Sequence, residues 1–131
     1  MNFMVKRFKS IPPIWCIIAF FGVIAFTLFM ALIPGSADPT AGLINSKVKH
    51  IITFFVLALM LDWFAFPTKN FVVWKPLSLL GFGILIEVLQ WFTVYRTFSY
   101  WDMVADTVGI ALYFSVSLIF IKKETLRLSE A

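Results

Sequence analysis

Seven polar side chains in an otherwise oily chain have the types and the spacing to do chemistry. Glu87 and Gln90 stand three residues apart, and Lys47 and His50 do the same. Asp102 and Asp106 stand four apart, with Gly109 three further on. On a helix each of these sets occupies a single face. Arg96 falls between the second and third sets. Three carboxylates, an ammonium, a guanidinium, an imidazole and an amide can do one of three things. Lys47, Arg96 and His50 can face an anionic group and bind it. His50 can serve as nucleophile or base, Glu87 or Asp106 as general acid, and Arg96 with Lys47 as a phosphate clamp. Or the ionisable groups can relay a proton or ion.

The surroundings of these residues decide how far each idea can go. Of 131 residues, 61% are hydrophobic and only 14% charged, with a mean hydropathy of +0.93. An ordinary soluble domain is about half apolar and about a quarter charged. A chain of this length cannot hide so much apolar surface from water, so lipid must be its solvent. The net charge of +4 then reads as basic flanks on the cytoplasmic side of a membrane, not as a nucleic-acid surface, and no nucleic-acid partner is expected. The single cysteine, Cys16, lies in an apolar run and has no partner for an internal disulfide. No CxxC, HExxH, GxSxG or Walker-type loop is present, and neither a metal nor a cofactor is expected.

The elements that must position the polar groups follow from the apolar runs. Spans are expected at about 14–33, 47–66, 72–94 and 102–121, preceded by a basic segment 1–13 and followed by a polar tail 122–131. The expected fold is all-α: a polytopic bundle of four transmembrane helices in one domain, with both termini cytoplasmic. The uncharged run at 14–33 is about 30 Å long as a helix, enough to cross the hydrocarbon core. It is longer than a signal-peptide core, so a retained span is expected in spite of the small residues Gly35, Ser36 and Ala37 after it. Pro34 to Ser46 reads as a loop, residues 67–70 as a tight connection, and Pro76 as a first-turn proline. With the N-terminus inside, Lys6, Arg7, Lys9, Lys69, Lys75, Lys122, Lys123 and Arg127 flank the inner face, against Lys47, Lys49 and Arg96 outside. That asymmetry obeys the positive-inside rule. Trp63, Trp74, Trp91 and Trp101 fall near span ends, as an interfacial belt would.

This topology places the polar groups in one layer. His50 and Asp106 come roughly 6 Å below the outer surface and Glu87 roughly 12 Å, with Gln90 a turn shallower. Arg96 is in the outer loop with a side chain long enough to fold inward. A charge at mid-bilayer costs about 2.5–3.5 kcal/mol on insertion scales, so these faces are expected to point into the bundle and pair there. Gly83 and Gly109 are expected where helices approach closely. Blander readings exist for each group. Arg96 with Glu87 or Asp102 is then a structural ion pair, Asp106 a hydrogen-bonder within its own helix, and His50 a headgroup contact. Lys49 is simply solvated. Asp62, near the inner end and about 120° round from His50, is expected to snorkel toward Lys69 or water.

These residues carry a resemblance. Ser46-Lys47-Val48-Lys49-His50, followed by Ile51-Ile52-Thr53-Phe54-Phe55, is similar to the D-K-x-x-H-x-x-x-F opening of a span in the VanZ-like family. Glu87-Val88-Leu89-Gln90, then Arg96, then Asp102 to Gly109, resembles that family's E-x-x-Q…R…D-x-x-x-N-x-x-G signature over roughly residues 46–110. Two positions depart from it: Ser46 where aspartate is usual, and Asp106 where asparagine is usual. The first puts a carboxylate partner for Lys47 in question, and the second adds a negative charge to the site. The resemblance implies a small multi-pass protein of the bacterial cytoplasmic membrane. The name-giving members are associated with low-level resistance to teicoplanin, a lipoglycopeptide.

The first expectation is therefore a cell-envelope membrane protein that binds a lipid-linked or amphiphilic ligand in an outer-leaflet polar pocket. Membrane lipids, lipid-linked cell-wall intermediates or a lipoglycopeptide are the expected partners. The alternatives are a membrane enzyme acting on lipid-linked phosphate or sugar, and a small ion- or proton-linked transport element. Four spans are few for transport, so that alternative needs an oligomer.

Overall fold

The computed structural model describes residues 13–33, 42–66, 72–93 and 100–130, with side chains through residue 119 in the last segment. These residues form four helices: α1 (Pro13–Leu32), α2 (Ser46–Met60), α3 (Trp74–Phe92) and α4 (Tyr100–Glu130). A single π-helical turn, Leu61–Ala65, extends α2. No strand occurs among the described residues. Four stretches are long and apolar enough to cross a membrane: Ile14–Leu32, Ser46–Ala65, Trp74–Phe92 and Tyr100–Ile119. The bounds of these helical stretches lie within a few residues of the expected apolar runs. The last helix runs on through the polar tail to Glu130.

Local chemistry accounts for the helix starts. The side chain of Asn45 accepts a hydrogen bond from the Lys47 backbone N–H at 2.8 Å, capping α2. Pro76 lies in the first turn of α3, where its missing N–H has no carbonyl to serve. Acidic Asp102 is in the first turn of α4, at the positive end of the helix dipole.

Packing follows the 3.6-residue period. Phe54, Leu57, Ala58, Leu61 and Ala65 form the buried stripe of α2 and its π turn; Leu79 and Ile86 come from α3, and Ile110, Tyr113 and Phe114 from α4. α2 and α4 form the most extensive helix pair, α3 packs on both, and α1 lies against α2, the π turn and α3. The α2–α4 contact is close because Gly109 has no side chain. A Cβ there would come within 2.4 Å of the Ile51 carbonyl oxygen. The expectation of a close helix approach at Gly109 therefore holds, and α2 is the neighbour it admits. The outward faces are apolar, with Trp15 and Phe26 on α1, Ile52 on α2, Leu77 on α3 and Ile119 on α4 among the exposed residues. α1 buries little besides Phe20, which makes it the peripheral member of the bundle.

Candidate functional site

The first turns of α2, the last turns of α3 and the first turns of α4 meet at one end of the bundle. The capped start of α2 places Lys47 and His50 on the face toward α4, and the Gly109–Ile51 contact holds the two helices at that spacing. Across the gap the Lys47 ammonium pairs with Asp102 Oδ1. One turn deeper, His50 Nδ1–H donates to Asp106 Oδ1 at 2.6 Å. The other ring nitrogen, His50 Nε2, faces Asp102 Oδ2 at 3.7 Å, beyond hydrogen-bond distance. Glu87 is fully buried and Asp106 nearly so.

The sequence-expected residues thus divide as follows. Lys47, His50, Asp102, Asp106 and Glu87 converge from three helices. Gln90 is also buried, but its amide N–H donates to the Ala31 carbonyl at 2.8 Å and ties α3 to the end of α1. Arg96, with the loop that carries it, lies outside the described residues. Lys47 has its carboxylate partner despite Ser46, because Asp102 on α4 supplies it. Asp106 bonds to His50, not within its own helix. Its second oxygen, Oδ2, is buried with no hydrogen-bond partner among the described residues, and lies against Gly83, where a Cβ would meet it at 2.8 Å. Gly83 therefore makes room for the carboxylate.

Beside the cluster, α3 and α4 leave a cavity of about 150 Å³ lined by Leu80, Gly83, Ile84, Met103, Asp106 and Thr107. The Thr107 hydroxyl is engaged by the Met103 carbonyl at 2.9 Å. The cavity is thus apolar apart from its Asp106 edge.

One arrangement escaped the sequence reading. His50, Glu87 and Asp102 each offer a ligand atom, and the three atoms lie within 4.8 Å of one another, close enough to share a metal ion. The ligands come from three helices, so no short spacing in the chain could announce them.

A second polar cluster occupies the opposite end. Asp62, expected to snorkel toward Lys69 or water, pairs with Lys75 and accepts a hydrogen bond from the Tyr113 hydroxyl at 2.7 Å. Lys75, expected on a solvated basic flank, is fully buried. The reason is geometric. The first turn of α3 delivers the ammonium to the π turn that carries Asp62, and an internal partner replaces water at lower cost than an unpaired charge. Lys69 lies outside the described residues.

Compared with known proteins, the chain matches no family model, no curated protein and no solved structure.

Proposed function

We propose that this chain is a VanZ-like integral membrane protein of the bacterial cytoplasmic membrane. In this reading it binds the anionic headgroup of a lipid-linked or amphiphilic ligand just beneath the outer face, and thereby contributes to glycopeptide resistance of the teicoplanin type. The observation that carries the proposal is the meeting of Lys47, His50, Glu87, Asp102 and Asp106 at one end of a bundle whose outward surface is apolar. Ionisable groups drawn together inside such a bundle mark a binding or transfer site more readily than a structural brace. The adjoining apolar cavity between α3 and α4, about 150 Å³, supports an amphiphile, since it gives a short stretch of hydrocarbon a place next to the polar groups. Lys47, only part-buried, can swing from Asp102 to an incoming phosphate. The sequence offers a second cation in Arg96, close in the chain to both Gln90 and Asp102. Cytoplasmic termini, which the Lys and Arg distribution favours, put this end outward.

Native mass spectrometry of the protein released from mild detergent tests the proposal. A retained phosphate-bearing lipid is expected, with loss of most of it in Lys47→Ala and in Arg96→Ala. Equal retention by wild type and both variants would overturn the reading.

One contact favours a second reading. A histidine whose Nδ1–H is held by a buried carboxylate, with Nε2 turned into the site, is the arrangement of an oriented general base. The corresponding activity is hydrolysis of a polyprenyl pyrophosphate: His50 takes a proton from water as its oxygen attacks the terminal phosphorus, the bridging P–O bond breaks, and the lipid monophosphate leaves with that proton while orthophosphate is released. Release of phosphate from a polyprenyl pyrophosphate by wild type and not by His50→Ala would select it.

A further inference from the structure

We infer that the cluster binds one divalent transition-metal ion, with His50 Nε2, Glu87 and Asp102 as its protein ligands and a coordination position left for an anionic oxygen. The inference rests on the reading of this cluster as a binding pocket and names what completes it.

Four observations converge. First, His50, Glu87 and Asp102 each offer one ligand atom within 4.8 Å of the other two. Two atoms bound about 2.1 Å from the same ion lie about 3.4 Å apart at a tetrahedral angle and about 4.2 Å apart on opposite sides. The 3.7 Å between His50 Nε2 and Asp102 Oδ2 is too long for a hydrogen bond and falls within that range. The remaining pairs, at no more than 4.8 Å, need to close by at most about 1.4 Å to reach the tetrahedral separation.

Second, the imidazole is prepared for a metal. Its Nδ1–H is fixed on Asp106 Oδ1 at 2.6 Å, which orients the ring and presents Nε2 as the free lone pair. Ligating histidines are commonly held in this way by a carboxylate behind the ring.

Third, Asp106 is nearly fully buried, and its Oδ2 has no hydrogen-bond partner among the described residues. The hydrogen bond that this carboxylate does accept comes from the imidazole. A metal on Nε2 withdraws electron density from the ring and strengthens the Nδ1–H donor that Asp106 depends on.

Fourth, the charges do not balance without an ion. Among the described residues, the carboxylates of Glu87, Asp102 and Asp106 face the single ammonium of Lys47, a net charge of −2 with His50 neutral. A divalent ion brings the sum to zero, which removes the net negative charge that would repel an anionic headgroup.

The donor set indicates which ions fit. One imidazole with two carboxylates suits zinc, iron or manganese better than magnesium or calcium, which favour all-oxygen sites. Lys47 holds Asp102 Oδ1 and leaves Oδ2 turned toward His50, so the ammonium and the ion use different oxygens of the same carboxylate.

The test uses the full chain in detergent, stripped with chelator and titrated with Zn²⁺ alone. Calorimetry is expected to give about one ion per chain. Loss of that binding is expected in His50→Gln and Glu87→Gln, and a 10–100-fold weaker affinity in Asp106→Asn. Cys16→Ser is expected to bind like wild type. Should His50→Gln fail to fold, Glu87→Gln together with the visible spectrum of Co²⁺-loaded protein decides. An intense band in wild type that is lost in Glu87→Gln supports the site. No stoichiometric Zn²⁺ in wild type, equal affinity in Glu87→Gln, or loss of binding in Cys16→Ser overturns it. A lipid retained without any Zn²⁺ binding removes the ion and leaves the pocket. Zn²⁺ bound as expected with no lipid retained upholds the ion and removes the headgroup reading.

Discussion

Gly109→Ala is the most exacting single change for this architecture. The added Cβ would lie 2.4 Å from the Ile51 carbonyl oxygen and 3.2 Å from two further Ile51 backbone atoms. Ordinary contact begins near 3.4 Å, so α2 and α4 must part by about 1 Å. The obstacle is helix backbone, which has no rotamer to turn away. Overpacking of this kind costs about 1–3 kcal/mol. The displacement also acts on the neighbouring site. His50 precedes Ile51 in the chain, and a shift of about 1 Å would stretch its 2.6 Å bond to Asp106 past hydrogen-bond range. A hydrogen bond to a charged group contributes a further amount of about 1.5–3 kcal/mol. The assay is equilibrium unfolding by SDS titration in mixed micelles, followed by circular dichroism. The control is Gly22→Ala on α1, where nothing lies within 4 Å of the new Cβ. That variant should match or exceed wild type, because alanine is the better helix former. If Gly109→Ala unfolded together with Gly22→Ala, the argument that this glycine sets the α2–α4 spacing would fail.

Two further variants probe other parts of the bundle in the same titration. Lys75→Met leaves the part-buried Asp62 without its ammonium partner and should destabilise by about 3–5 kcal/mol, with substantial recovery when Asp62→Leu is added; no recovery in the double variant would show that Asp62 matters for another reason. Gln90→Leu removes the tie from α3 to the Ala31 carbonyl and should cost about 1 kcal/mol, with earlier proteolysis near α1; an unchanged midpoint and unchanged proteolysis would mean that apolar packing alone holds α1 in place.

The sequence by itself determined the number of helices, their approximate ends, and the gathering of Lys47, His50, Glu87, Asp102 and Asp106 at one end of the bundle. These features are legible because the two governing scales are local: an apolar run of bilayer length makes a span, and the 3.6-residue period assigns a face. Gly109 was legible for the same reason, lying on the face that carries Asp102 and Asp106. Pairings were not legible. That Asp106 bonds to His50 and Asp102 to Lys47 depends on α2 lying against α4 at the distance Gly109 allows. Asp62 was misplaced because its partners, Lys75 and Tyr113, come from two other helices, and an ideal α-helical wheel takes no account of the π turn on which it sits. The convergence of His50, Glu87 and Asp102 on one point is likewise tertiary. Helix periodicity states which way a side chain faces, but only the packing of one helix on another decides what it meets.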